Sequence, residues 1–178
     1  AMELLGQADL LVFSVTALVD DVFREALRQR ALAVGHRVLL PHGAIIGMDG
    51  LVDAGPTLRS VTITTTKNPR TLELDESEAR VLYEGPTRGA CALFPRNVNV
   101  HAVTALAGLG FDRTMSRIVA DPAVSTNTHV IEVTGEDYRF RIEVASEARG
   151  KLTGAYTPQS ALSTVRRILE TGSELRFI

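Results

Sequence analysis

Hydrophobic residues near the start of the chain form a short unbroken run. Residues 9–16 hold this run, which is typical of a strand buried on both faces of a parallel sheet. Between Asp20 and Gly35, apolar residues recur at spacings of three and four, which predicts an amphipathic helix with an acidic start and a glycine stop. A second β-rich run follows at residues 36–41. Strand, helix and strand of this length indicate a right-handed crossover of a doubly wound, Rossmann-like sheet.

Beyond residue 50 the pattern indicates a different sheet. Side chains of opposite character alternate over residues 59–66, which predicts a half-exposed strand. The other predicted elements are strands at 80–84, 116–121, 129–134, 138–144 and 175–178, and helices at 48–54, 86–94, 97–107 and 158–170. A hairpin at 135–137 is predicted to join two of these strands, and the last helix is predicted to pack back on the sheet.

The predicted fold class is therefore α/β followed by α+β. Residues 1–50 are interpreted as the trailing part of a Rossmann-like domain, a partial parallel unit. Residues 51–178 are interpreted as a domain with a mixed or antiparallel sheet and helices on one face.

Composition and charge narrow the classes of function. Of the 178 residues, 45% are hydrophobic and 22% are charged, which is typical of a globular protein. The net charge is −2 without a long run of one sign, which argues against nucleic-acid binding. No apolar run approaches the roughly 20 residues that a membrane span requires. A single cysteine cannot form an internal disulfide, and no leader pattern precedes the first strand, so we expect a cytoplasmic protein.

Four histidines are candidate acid–base groups, because histidine titrates nearest to neutral pH. His129 ranks first, since a polar loop delivers it to the mouth of a predicted strand, where a side chain can project into a cleft. His42 lies in a glycine-rich stretch, residues 42–50, at the carboxyl end of a predicted parallel strand, where ligands bind in open α/β sheets. His36, at the start of a predicted buried strand, and His101, in a helix, are expected to be structural.

Other polar residues allow two interpretations. Asn97 and Asn99 can cap the helix that they open, or they can present amides and free N–H groups to a ligand with polar edges. Lys67 ends a predicted strand, where its ammonium can be solvated or can face an anion. Cys91 is expected to be a buried small hydrophobe. The sequence contains no metal-binding, serine-hydrolase or phosphate-loop motif, so motifs alone leave the activity open.

Five segments that occur in one order and at a regular spacing carry a further signal. They are Pro41-His42-Gly43-Ala44-Ile45 with Gly47 and Asp49, Val81-Leu82-Tyr83-Glu84-Gly85, Phe94-Pro95-Arg96-Asn97-Val98-Asn99, Val119-Ala120-Asp121-Pro122-Ala123, and Asn127-Thr128-His129. Together they resemble the L-aspartate dehydrogenase family, and the resemblance runs from about Asp9 to the C-terminus.

The resemblance implies a Rossmann domain that binds NAD or NADP and a C-terminal α+β domain that supplies catalytic residues and the interface of a homodimer. It implies oxidative deamination of L-aspartate to iminoaspartate and oxaloacetate, or reductive amination of oxaloacetate with ammonia, as a step toward NAD biosynthesis. His129 matches the catalytic histidine of the family. Ala44 and one of Asn97 and Asn99, with Asn99 favoured, match positions that contact the dinucleotide. No metal is expected.

Two departures from the family pattern affect these expectations. The first half of the nucleotide-binding domain, with its GxGxxG turn, is not in the sequence, so the chain is expected to be the back portion of a longer enzyme. The family turn carries serine where His42 stands, and a family Asn-Pro-Lys-Thr segment reads Thr157-Pro158-Gln159-Ser160 here. Lys67, Arg96 or Lys151 can supply the cation that this segment lacks.

Two other functions remain open from the sequence. One is a non-catalytic domain that dimerises or binds a partner through this fold. The other is a dehydrogenase of the same fold that acts on a different amino or oxo acid.

Overall fold

A computed structural model describes residues 1–75, 77–149 and 153–170 of the chain. The helices are α1 (Met2–Leu5), α2 (Asp21–Val34), α3 (Met48–Ala54), α4 (Thr87–Leu93), α5 (Asn99–Ala107) and α6 (Tyr156–Leu169). The strands are β1 (Leu10–Leu11), β2 (Val38–Leu39), β3 (Leu58–Lys67), β4 (Arg80–Pro86), β5 (Met115–Ala120), β6 (Thr126–Gly135), β7 (Arg139–Arg149) and β8 (Thr153–Gly154). The predicted strand at 175–178 lies outside the described residues.

Local interactions fix both ends of α2. The Asp20 carboxylate accepts hydrogen bonds from the N–H groups of Val22 at 2.9 Å and Phe23 at 3.0 Å. Gly35 ends the helix in the left-handed conformation, with φ of 70°. A side-chain cap and a left-handed glycine satisfy backbone groups that a helix end leaves without partners. The predicted acidic start and glycine stop are confirmed.

The first strand is shorter than the sequence predicts. β1 pairs in parallel with β2, which confirms the parallel crossover. The prediction of one strand over residues 9–16, buried on both faces, is wrong. β1 has a single partner strand in the described chain, and Phe13 is 45% exposed. The chain then turns into a 3₁₀ helix at Val15–Val19, because that turn buries Val15 and Leu18 in the core.

A six-stranded mixed sheet forms the main body of the chain. Its strand order is β4-β5-β3-β6-β7-β8. The central strand β3 is parallel to β5 and antiparallel to β6. Side chains alternate along β3, so that Val61, Ile63, Thr65 and Lys67 are buried on one face. The predicted mixed sheet, its half-exposed strand and the hairpin between β6 and β7 are confirmed. The division of the chain near residue 50 stays a prediction.

Two clusters of apolar side chains make up the core. The first joins α1 and α2 to α4, α5 and β5, and the second joins α3 to β3 and β6. Full burial of one such side chain contributes roughly 1.5–3 kcal/mol. Cys91 belongs to the first cluster, and burial raises the pKa of its thiol to about 11, which matches the predicted small hydrophobe.

The last helix, α6, packs elsewhere than predicted. The sequence predicts that this helix packs on the sheet. In the structure it lies against the loop that contains His42, and Ser160 is its buried residue. Its apolar side chains, Leu162, Val165, Ile168 and Leu169, are exposed. The difference has a physical cause, because α4 and α5 already contact the buried face of the sheet. None of the helices in the described segments combines the length and the apolarity that crossing a bilayer requires.

Candidate active site

A cavity of about 280 Å³, here called the β3 cavity, lies at the carboxyl end of β3. It is lined by Phe13, Val15, Pro41, His42, Gly43, Ala44, Lys67, Arg96, Asn97, Asn99, Val100, Val103, Asn127, His129, Gly154 and Thr157. The structure therefore brings together the four residues predicted for the site, His129, Ala44, Asn97 and Asn99, although they come from three separate parts of the chain. Their roles stay predictions.

The pairing of β3 with β6 places the polar side chains of the cavity. Thr65 of β3 lies directly opposite His129 of β6. Lys67 is two residues further along β3, and Asn127 is two residues earlier in the antiparallel β6. Residues two apart in a strand share a face, so all four side chains point to the same side of the sheet. This spacing also shows how Asn127 could have been found from the sequence, since it stands two residues before the predicted base.

His129 is buried, and its imidazole ring is neutral at pH 7. Its side chain is 5% exposed, and its Nδ1 atom lies 2.8 Å from the Thr65 hydroxyl oxygen. Burial, and secondarily the positive charge of Lys67, lower the pKa of His129 to about 3. The other ring nitrogen, Nε2, has no hydrogen-bond partner within the described part of the chain. A neutral imidazole with a free nitrogen can accept a proton from a ligand in the cavity.

His101 is structural, as its position in a helix suggests. The ring is fully buried in α5, where it contacts the hydroxyl groups of Thr65 at 2.7 Å and Ser116 at 2.9 Å. Burial, followed by the charges of His129 and Lys67, lowers the pKa of His101 to about 3. His101 does not line the cavity, but it is one side chain removed from His129.

Lys67 brings a positive charge to the cavity. The residue is 4% exposed, and burial lowers the pKa of its ammonium. Among the residues that the structure describes, no carboxylate forms an ion pair with it, and no hydrogen-bond acceptor reaches it. A buried charge without a partner is costly, so this position favours an anionic ligand. Arg96 also lines the cavity but is exposed, and Lys151 lies outside the described residues.

The asparagines of the cavity offer free polar atoms. Neither Asn97 nor Asn99 caps α5, whose N-cap is Val98, so the capping interpretation is wrong. The Asn99 side-chain oxygen instead accepts a hydrogen bond from the Thr16 N–H at 3.2 Å, which ties α5 to the N-terminal unit. The side-chain oxygens of Asn97 and Asn127 are buried and have no hydrogen-bond partner among the residues that the structure describes. These acceptors suit a ligand with N–H donors, such as an ammonium group or a carboxamide.

The turn that carries Ala44 forms another wall of the cavity. Gly43 adopts a positive φ of 62°, and a side chain added there would meet open space. His42 is held on both sides of its ring. Its Nδ1 contacts the Ile45 carbonyl, and its Nε2 accepts a hydrogen bond from Arg167 at 3.1 Å. Both contacts favour a structural role for His42 in shaping the turn. In the described residues, no group of three histidine, cysteine or acidic side chains is placed to hold a metal ion.

Comparisons with known proteins point to one family. The family profile described as "Aspartate dehydrogenase, C-terminal" matches residues 49–168. The L-aspartate dehydrogenase of Methanopyrus kandleri is 41% identical over 169 residues, which cover 93% of this chain and 64% of that protein. The L-aspartate dehydrogenase of Nitrosopumilus maritimus is 36% identical over 176 residues, which cover 91% and 65%. This chain therefore spans slightly less than two thirds of the length of these relatives.

A solved structure gives the same result for the fold. The crystal structure of aspartate dehydrogenase from Thermotoga maritima is similar with a TM-score of 0.83 and 30% sequence identity. The similarity covers 99% of this chain and 72% of that one.

Proposed function

This chain belongs to the aspartate dehydrogenase family, and we propose that it serves the NAD- or NADP-dependent oxidative deamination of L-aspartate. The product is iminoaspartate, which water converts to oxaloacetate and ammonia, and the same site serves the reverse amination. The observation that carries this proposal is that one cavity contains a buried cation, Lys67, which has no ion pair among the described residues, and a neutral imidazole, His129. A dicarboxylic amino acid offers both an anion for the first and a proton for the second.

The reaction removes a hydride and a proton from the substrate. A bound nicotinamide would supply the oxidising power by accepting a hydride from the substrate Cα. The α-ammonium loses a proton, so that a carbon–nitrogen double bond forms. His129 is the base for a proton of the amine or of the water that attacks the imine carbon. The free Nε2 of its neutral ring is the atom suited to receive this proton.

The negative charge of a bound substrate is expected to change the pKa of His129. Without a ligand, burial and Lys67 hold the pKa of His129 at about 3, which makes it a weak proton acceptor. A carboxylate beside Lys67 opposes that positive charge and favours the protonated imidazole. The pKa of His129 therefore rises when a dicarboxylate binds, and the base becomes effective when its substrate is present.

Three residues would hold the nicotinamide end of the cofactor. Ala44 offers the backbone of a glycine-containing turn. Within the described chain, the buried side-chain oxygen of Asn97 has no partner, and the side-chain N–H groups of Asn99 donate no hydrogen bond. The donors and acceptors of a carboxamide complement these groups. Asn127 is then left to accept a hydrogen bond from the substrate amine.

The first test is enzymatic. L-Aspartate is offered with NAD⁺ and, separately, with NADP⁺, and the formation of reduced nicotinamide is followed by absorbance. Full-length wild-type protein is compared with the full-length variants His129→Asn and His36→Asn; His36 lies outside the cavity. We expect His129→Asn to lose roughly 10²–10⁴-fold in kcat, the range for a general base, and His36→Asn to be unaffected. Unchanged turnover in His129→Asn would refute the assignment, and turnover of L-alanine in preference to L-aspartate would refute the substrate.

Other parts of the proposal concern the setting of the enzyme. We propose a cytoplasmic homodimer whose product feeds NAD biosynthesis. Side chains of β3 and β6 that point away from α5, such as Thr62, Thr64 and Val130, are partly exposed, and this face of the sheet supports a symmetric contact. Light scattering of the purified protein measures the oligomeric state, and a monomer at micromolar concentration would contradict the dimer.

A further inference from the structure

A continuous chain of buried polar side chains runs from the β3 cavity into the core. In order from the cavity, its members are His129, Thr65, His101, Ser116 and Thr87, and it ends at the backbone carbonyl of Thr114. All five side chains are buried. They belong to β6, β3, α5, β5 and α4, so the chain crosses the whole interface between the sheet and its helices.

The fixed end of this chain determines its direction. The Thr114 carbonyl oxygen can only accept a hydrogen bond, so the Thr87 hydroxyl donates its single proton to it, at 2.9 Å. Thr87 must then accept from Ser116, whose hydroxyl oxygen lies 2.8 Å away. The single hydroxyl proton of Ser116 is already donated to Thr87. Ser116 is therefore the acceptor in its other hydrogen bond, at 2.9 Å from His101 Nδ1. His101 therefore carries a proton on Nδ1.

The same logic continues through the two rings. A neutral histidine has one N–H group and one bare nitrogen, so Nε2 of His101 accepts the hydrogen bond from Thr65, at 2.7 Å. Thr65 has then used its proton and accepts from His129 Nδ1, at 2.8 Å. Each link allows only one direction once the link before it is fixed.

We propose that Thr65, His101, Ser116 and Thr87 are positioning residues that hold His129 in the tautomer with its proton on Nδ1, which leaves the Nε2 lone pair to the cavity. This inference deepens the proposed function, because it names the residues that present the base and the nitrogen that acts. The opposite tautomer would turn an N–H group toward the cavity, where it could donate a hydrogen bond but could not accept a proton.

The low pKa values of the two rings support the one-way arrangement. A doubly protonated His101 would donate on both sides and would reverse the Thr65 bond, and burial lowers its pKa to about 3. At neutral pH both rings are therefore neutral, as the direction of the chain requires. None of the five side chains in this chain of hydrogen bonds is acidic, so the Thr114 carbonyl sets the tautomer through three hydroxyl groups and the His101 ring.

The test measures the tautomer without turnover. The protein is labelled with ¹⁵N-histidine, and long-range ¹H–¹⁵N correlation spectra distinguish protonated from bare ring nitrogens at neutral pH. The His129 signals are identified by their loss in His129→Asn. We expect wild-type His129 to show one species, protonated on Nδ1. A wild-type ring protonated on Nε2 would overturn the proposal, whether or not any variant folds.

Matched variants test each end of the chain. Thr65→Val removes the hydroxyl at nearly constant shape, and Thr65→Ser keeps it. Ser116→Ala removes a hydroxyl that does not touch His129, and Ser116→Thr keeps one. We expect the two hydroxyl-keeping variants to retain a single Nδ1–H species. In Thr65→Val and Ser116→Ala the direction is no longer fixed, so the Nε2–H species appears. A His129 tautomer that is unchanged in both of these variants would overturn the proposal.

Activity data then separate this inference from the proposed function. If the proposed function holds, Ser116→Ala lowers kcat with aspartate while the KM for aspartate stays near its wild-type value, and Ser116→Thr restores kcat. If aspartate is not a substrate, the activity test of wild-type protein fails, but the tautomer spectra still decide the present inference.

Discussion

Acidification from about pH 7 to about pH 5 is expected to destabilise the fold through His101 and His129. In the folded chain, burial lowers the pKa of each ring to about 3 from an ordinary value of 6.5. Between those two values the unfolded chain binds more protons than the folded chain, so protons favour unfolding. The stability that depends on the neutral rings is complete above pH 6.5 and is lost as the pH falls from 6.5 toward 3.

The size of the effect follows from the width of this window. A pH of about 5 lies roughly 1.5 pH units below the unfolded pKa, and each unit corresponds to about 1.4 kcal/mol, so each histidine loses about 2 kcal/mol of stability. The two together lose about 4 kcal/mol, a large share of the roughly 5–15 kcal/mol that stabilises a typical domain. The carboxylates of Asp9, Asp21 and Asp112 do not add to this loss, because their hydrogen bonds to arginine hold their pKa values below the ordinary value of 3.8, outside this pH window.

Urea unfolding followed by circular dichroism measures the free energy of unfolding at each pH. Wild-type protein should lose about 4 kcal/mol between the two pH values, and His129→Asn should lose about half as much, because one buried ring remains. His36→Asn removes a partly exposed histidine as a control and should behave like wild type. A free energy of unfolding that does not change with pH would show that neither ring is buried in neutral form. An equal loss in wild type and His129→Asn would show this for His129 alone.

Three further substitutions test the cavity and the turn beside it. Lys67→Met should weaken oxaloacetate binding, measured by calorimetry, by about 10–100-fold, because it removes one charge-assisted hydrogen bond worth about 1.5–3 kcal/mol. It should also raise the melting temperature of the ligand-free protein, because a buried charge is removed. Unchanged affinity would mean that the anion binds elsewhere. Asn127→Leu should weaken aspartate binding more than oxaloacetate binding, since only the amino acid carries an ammonium group, and equal losses would contradict that role. Gly47→Ala should cost about 1–3 kcal/mol in urea unfolding, because Gly47 has a φ of 69° and an added Cβ would lie 2.8 Å from Ile142 Cδ1; an unaffected midpoint would mean that the turn relaxes.

Periodicity predicts the elements whose stability is local. The helix from Asp20 to Gly35 and the hairpin at 135–137 follow from caps and turn residues, and both are present. The prediction of a strand over residues 9–16 was wrong because an apolar run indicates that residues are buried but does not indicate whether a partner strand is available. The position of α6 was wrong for a related reason, since an apolar stripe does not specify the surface on which it packs. Both errors concern tertiary contacts that a local pattern cannot contain.

Some residues of the candidate site could likewise be predicted from the local sequence, whereas others depend on tertiary contacts. His129 could be proposed from its place at the mouth of a strand, and its neighbour Asn127 from the period of two. The choice among Lys67, Arg96 and Lys151 could not be made from the sequence, because it depends on burial. Only the β3–β6 pairing shows that Lys67 lies beside His129, 62 residues earlier in the chain but near it in space.

Buried polar groups with and without hydrogen-bond partners differ in their location. Those behind the cavity have partners, and within the described chain two of those in the cavity do not. Behind the cavity, Thr65, His101 and Ser116 satisfy one another, as buried structural groups do. In the cavity, the side-chain oxygens of Asn97 and Asn127 have no hydrogen-bond partner among the described residues, although each such buried group costs about 1–3 kcal/mol. Lys67, which is 4% exposed, has no ion pair with a carboxylate there.

His129 lies between these two sets of groups, with Nδ1 bonded to Thr65 behind it and Nε2 left to the cavity. Two unsatisfied acceptors in the cavity wall, next to a histidine whose Nδ1 is held from behind, support the ligand-binding role proposed for this cavity.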